Sequence, residues 1–140
     1  MFEANVTLVR RAFDEVASQG KLDVVDEIIA PDFVRHDLAG TPDVVGVEGV
    51  KRMMAGLRTA FAGLQLTLES VVAQDDMVVA RFTGRGTHQG PFQGIAPTGK
   101  QVTWAGINIY RIAGGKIAET WQLSDTLGIL RQIGAVPAPR

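Results

Sequence analysis

The sequence contains no cysteine, which excludes disulfides, thiol nucleophiles and thiolate metal sites. Aromatic residues make up only 6 % of the chain, with one tyrosine and two tryptophans, so the position of each is informative. There are two histidines, which limits the groups that exchange protons near neutral pH. The formal net charge is −1, whereas a nucleic-acid binder would show a basic stripe. No apolar run approaches the roughly 20 residues that span a bilayer. The opening MFEANVTLVRR has no basic stretch leading into an apolar core, so neither a membrane span nor a secretory leader is expected. The cytoplasm is the expected location.

Hydrophobic residues form 46 % of the chain and charged residues 21 %, the balance of a globular protein. A chain of 140 residues suits a single domain, 1–140, with a sizeable core. Val6, Val9, Phe13 and Val16 recur at helical spacing until Gly20. LDVVDEIIA predicts a second helix ended by Pro31, since the residue before a proline avoids the helical region. DFVRHD is a short extended piece and LAGTPDVVG a loop. VEGVKRMMAGLRTAFAG predicts a third helix up to Gly63.

The period then changes to two. LQLTLESVVA and MVVARFTGRGTH predict a strand pair joined at QDD, with Phe82, Gly84, Gly86 and His88 on one face of the second strand. Glycines there indicate a bend or a close approach to the backbone. After the loop QGPFQGIAPTGK, QVTWAGINIYRI and KIAETWQL form a hairpin about AGG. SDTLGILRQIG predicts a short helix capped by Ser124 or Asp125, followed by a Pro-rich tail. Helices segregated from strands imply an α+β fold: a curved antiparallel sheet wrapped around three N-terminal helices, a cone open at one end, with a short C-terminal helix.

Four stretches, PDFVRHD, GRGTHQGPFQGIAPTGK, RIAGGKIAETW and LGILRQIG, together with the helix order, resemble the SnoaL-like polyketide cyclases of the nuclear transport factor two-like superfamily. The resemblance covers nearly the whole chain. It implies a buried apolar pocket, no metal or cofactor, a small apolar or aromatic substrate, and a homodimer. It also implies ring closure by intramolecular aldol condensation. In those cyclases an Asp on the last strand is the general acid/base, and His and Gln on the preceding strand hold the enolate. The hairpin alignment puts that Asp at Gln122, the His at Asn108 and the Gln at Gly106. An amide neither takes nor gives a proton near neutral pH, so the cyclase mechanism does not carry over as written.

If Asn108 faces inward, strand alternation turns Val102, Trp104, Gly106, Tyr110 and Ile112 inward with it. Ile107 and Ile109 then form an outer apolar patch that a second subunit would cover. Gln122 and Asn108 become donors to a ligand carbonyl, or simply a satisfied pair of buried amides. His36 and His88 are the natural proton carriers; their alternative is a rim position bonded to the loop. Asp125 is the nearest surviving carboxylate, although a helix-capping role suits it better. Asp37 adjoins His36, but extended neighbours point opposite ways. Trp104, Trp121, Tyr110, Phe82, Phe92 and Met53 are the aromatic and polarisable candidates for the walls of a substrate site. The histidine and acid spacing matches no metal motif, and GIAPTGK lacks phosphate-loop spacing. Two functions follow: a cofactor-free enzyme moving a proton next to a carbonyl in cyclisation, isomerisation or hydration, or a non-catalytic binder of the same small molecules. A purely structural dimerising module would instead fill the pocket with its own side chains.

Overall fold

A computed structural model describes residues 2–137; Met1 and the last three residues of the Pro-rich tail lie outside the described residues. Helix α1, Phe2–Arg11, continues into a π-helical segment, Ala12–Ser18, so Val9, Phe13 and Val16 face the core. Gly20 ends this segment at a φ of 74°. A 3-10 turn over Leu22–Val24 leads into the single turn α2, Val25–Ile28. The chain is already extended at Ile29, and β1 spans Ile29–Asp37. Pro31 therefore lies inside a strand rather than terminating a helix. Its missing N–H is tolerated because the pairing register breaks between Ile29 and Val34.

The expected loop before the third helix contains a two-residue strand, β2, Val44–Val45. Helix α3 runs over Gly46–Ala60, and β3 over Phe61–Gln74 begins earlier than periodicity indicates. Gly63, at a φ of 68°, marks a register shift between Ala62 and Gln65 rather than a helix stop. Strands β4, Met77–His88, β5, Gln101–Ala113, and β6, Lys116–Ser124, complete the sheet, and α4, Thr126–Gln132, follows.

Among the described residues the six strands lie in the order β2-β1-β6-β5-β4-β3. All pairs are antiparallel except β1 with β6. That parallel pair departs from the all-antiparallel expectation. Parallel neighbours need a long crossover, and here most of the chain lies between them. Register shifts in β3–β4 and β5–β6 bend the open sheet over the N-terminal helices. Phe13 carries that packing, with its ring 5.2 Å from Phe82 and 6.4 Å from Tyr110. The strand glycine Gly84 leaves room for the Trp104 ring: a Cβ there would collide with the indole.

Candidate active site

Between the inner sheet face and α3 lies a cavity of about 480 Å³, within the range that accepts a drug-sized molecule. Met53, Met54 and Leu57 of α3, with Phe33, Phe82, Trp104 and Phe92, give it an apolar wall. The polar groups come from three adjacent strands and fall in rows set by the register. Arg35 pairs across β1–β6 with Thr120, which pairs with Tyr110 on β5. In the next row Asp37 pairs with Gln122, and Gln122 with Asn108. Ser124 lies beyond, opposite Gly106. All of these residues except Gly106 line the cavity.

The Gln122 carboxamide is committed at both ends. Its Oε1 accepts from Arg35 Nη2 at 2.7 Å, and its Nε2 donates to Ser124 Oγ. It thus holds the guanidinium in place. Asn108 Nδ2 donates to Tyr110 Oη at 2.8 Å, and Asn108 Oδ1 is buried without a partner among the described residues. A phenolic oxygen that accepts from Asn108 keeps its own proton for another acceptor. Burial pushes the Tyr110 phenol well above its ordinary range, so it stays protonated.

Asp37 is the one carboxylate among the described residues that line the cavity. Burial pushes its carboxyl up, but the Thr41 hydroxyl, the Ala39 N–H at 2.9 Å and the charge of Arg35 outweigh this and hold it below the usual value. It is ionised at neutral pH. Burial lowers the Arg35 guanidinium, which nonetheless remains charged.

Four residues singled out from the sequence sit elsewhere. His36 projects from the face of β1 opposite Arg35 and Asp37, because adjacent strand residues alternate. Its ring stacks on Trp121 at 5.7 Å, its Nε2 lies 2.6 Å from Glu119 and its Nδ1 3.4 Å from Asp43. Trp121 shares that outer face and is not a cavity wall. His88 is fully buried but does not line the cavity; its Nδ1 lies 3.0 Å from Thr98 Oγ1, and its Nε2 has no partner among the described residues. Its backbone bonds to Gly99 and Lys100 close the loop after β4. Asp125 caps α4, accepting from Gly128 N at 2.9 Å, and also lies off the cavity. Asn108, Gln122, Asp37, Trp104, Tyr110, Phe82, Phe92 and Met53 all line it. Arg35 has no mark in the sequence: it lies within a stretch whose histidine and aspartates are the evident reactive groups. Among the described residues no three His, Asp or Glu side chains converge as metal ligands.

The outer cluster has a pH signature. The hydrogen bond to Glu119 raises His36, assisted by Asp43 and opposed by burial. The same bond lowers Glu119, assisted by Arg111. The raised His36 stabilises the fold fully below the ordinary histidine value of 6.5 and loses that contribution as pH rises through its folded value. The lowered Glu119 contributes above 4.5 and loses its contribution as pH falls through its folded value. Thermal melts of wild type and His36→Gln should therefore differ most between 4.5 and 6.5 and converge as pH rises through the raised His36 value. A difference independent of pH would refute the pairing.

The chain as a whole is similar to known proteins. The family model described as SnoaL-like polyketide cyclase matches residues 7–133. The chain is 30 % identical over 132 residues to the aklanonic acid methyl ester cyclase DauD of Streptomyces sp. (strain C5), covering 92 % of this chain and 81 % of that protein. The aklanonic acid methyl ester cyclase DnrD of Streptomyces peucetius is also 30 % identical over 132 residues, at 92 % and 90 % coverage. Among solved structures, TsrD from Streptomyces laurentii superposes with a TM-score of 0.86 at 29 % identity, covering 97 % of this chain and 99 % of that one.

Proposed function

We propose the following function for this chain, which belongs to the SnoaL-like polyketide cyclase family: it moves a proton next to a carbonyl in a hydrophobic, polyketide-type molecule, without a cofactor, and so closes a ring. The observation that carries this reading is a lone ionised carboxylate, Asp37, on the wall of an apolar cavity that also holds the protonated Tyr110 hydroxyl. The substrate's ring system packs on Trp104, Phe82 and Met53 while its ketone oxygen accepts from Tyr110 Oη. Asp37 removes the α-proton. The C–H electron pair becomes an enolate, whose oxygen is held by the phenol in a cavity that carries the charge of Arg35. Such donors are worth more in a dry site than in water. The enolate carbon then bonds to a second carbonyl carbon of the same molecule, and the resulting alkoxide takes the proton back from Asp37. Gln122 stands at the family's acid/base position but, bonded to Arg35 and Ser124, it orients the guanidinium and transfers no proton.

The test is deuterium uptake from D2O at the methyl carbon of 2-acetonaphthone, followed by proton NMR. Wild-type protein should accelerate it with nothing else added. Binding of the ketone without any acceleration would make the chain a carrier and overturn the enzymatic reading.

For the outer sheet face the reading includes a second copy of this chain. Val72, Val79, Ile107 and Leu123 are exposed there, and apolar side chains grouped on a sheet face favour a partner. A solution mass equal to one chain of 15.0 kDa, measured by light scattering, would rule the dimer out.

A further inference from the structure

We propose that the substrate carries a permanent carboxylate, and that Arg35 receives it inside the cavity. This deepens the reading of the cavity as a substrate site and rests on it. Arg35 lines the cavity and carries a charge that no side chain among the described residues meets in a direct ion pair. Its one side-chain hydrogen-bond partner among the described residues is a neutral amide oxygen, Gln122 Oε1 at 2.7 Å. A guanidinium has five N–H donors in a planar fork suited to two-point recognition of a carboxylate.

Asp37 is the nearest acid on the same face, two residues along the strand, about 7 Å between Cα atoms. Its oxygens are engaged by Ala39 N and Thr41 Oγ1, so it moderates the charge of Arg35 without pairing with it. Gln122 completes the arrangement. Ser124 fixes its amide with the oxygen toward Arg35. The guanidinium is thereby held still but not neutralised, whereas a carboxylate at position 122 would complete an internal ion pair.

A neutral ligand filling the cavity would strip water from a charge whose direct partner is an amide and whose nearest acid, Asp37, moderates it without pairing, which is unfavourable. A ligand carboxylate removes that penalty and is present before any enolate forms. The enolate alone does not account for Arg35, because the guanidinium is charged throughout the cycle and the Tyr110 hydroxyl already meets the developing oxyanion.

The experiment compares 2-naphthoate with methyl 2-naphthoate, a matched pair with no enolisable hydrogen, by calorimetric titration of the full chain. Wild-type protein should bind the carboxylate at least about tenfold more tightly, the scale of a charge-assisted hydrogen-bonded pair. Arg35→Met should abolish the preference while retaining the ester. Gln122→Glu should do the same by pairing Arg35 internally, so the test survives if the Met variant fails to fold. Equal binding of both probes by wild type, binding of neither, or a preference retained in both variants overturns the proposal. If the preference is absent while 2-acetonaphthone is still deuterated, only the carboxylate is lost and the proposed function stands. A preference without deuteration removes the chemistry and leaves the anion site.

Discussion

Asp37→Asn lowers the rate of deuterium uptake into 2-acetonaphthone about a hundredfold to ten-thousandfold, the range a positioned general base contributes, and leaves the fold in place. The substitution removes the base without removing the turn. An Asn side chain keeps an oxygen to accept from Ala39 N, the 2.9 Å contact that shapes the chain after β1. The melting temperature should therefore stay close to wild type. The pH profile provides a second readout. Burial raises the Asp37 carboxyl, but the Thr41 hydroxyl, Ala39 N–H and Arg35 together hold it below 3.8. The base form is the deprotonated one, so the rate falls only as pH drops through that depressed value and is level between about pH 5 and 8. An acid limb near the ordinary histidine value would assign the proton to His36 or His88 instead. A rate unchanged in Asp37→Asn would remove Asp37 from the mechanism altogether.

That contrast between acid and histidine shows where the sequence was legible. Alternation along QVTWAGINIYRI placed Trp104, Asn108 and Tyr110 on one face, and the burial of the strand follows the same alternation. The tight turn at Gly114 and Gly115, with φ of 59° and 74°, was readable because two residues of positive φ favour glycine. The site was less legible because its two charged groups, Arg35 and Asp37, hang on β1. A six-residue extended piece between a short helix and a loop has too little periodicity to reveal its sheet neighbour. Its pairing partner, β6, lies more than 80 residues away. Without that pairing there was no means to know that Arg35 and Asp37 face Gln122, or that His36 turns outward onto Trp121. Histidine stands out in a sequence because its chemistry is general. Arginine does not, because its usual place is the surface. Asp125 was readable from its position just before an apolar helical stretch, and it does cap α4.

Tyr110→Phe is expected to reduce the turnover rate about a hundredfold to a thousandfold, the effect of deleting one oxyanion donor, with little change in the concentration of ketone needed for half-saturation. The split follows from when the hydrogen bond matters most. A ground-state ketone gains little from the phenol, whereas the enolate oxygen carries a charge that the surrounding apolar wall would otherwise leave unsolvated. Binding of the ring system rests on Trp104, Phe82 and Met53, which the variant keeps. There is also a structural cost. Asn108 Nδ2 loses its acceptor at 2.8 Å in a place where Asn108 Oδ1 already has no partner, and stability should fall by about 1–3 kcal/mol. The double variant Asn108→Leu/Tyr110→Phe removes that orphaned amide and should recover stability without recovering rate. Recovery of both would mean that Tyr110 acts only through packing. A Tyr110→Phe protein of full activity would mean that the carbonyl oxygen sits elsewhere in the cavity. Because burial keeps the phenol protonated, its donor role brings no alkaline limb to the profile below about pH 10, and an alkaline loss of rate under that value would count against Tyr110 as the donor.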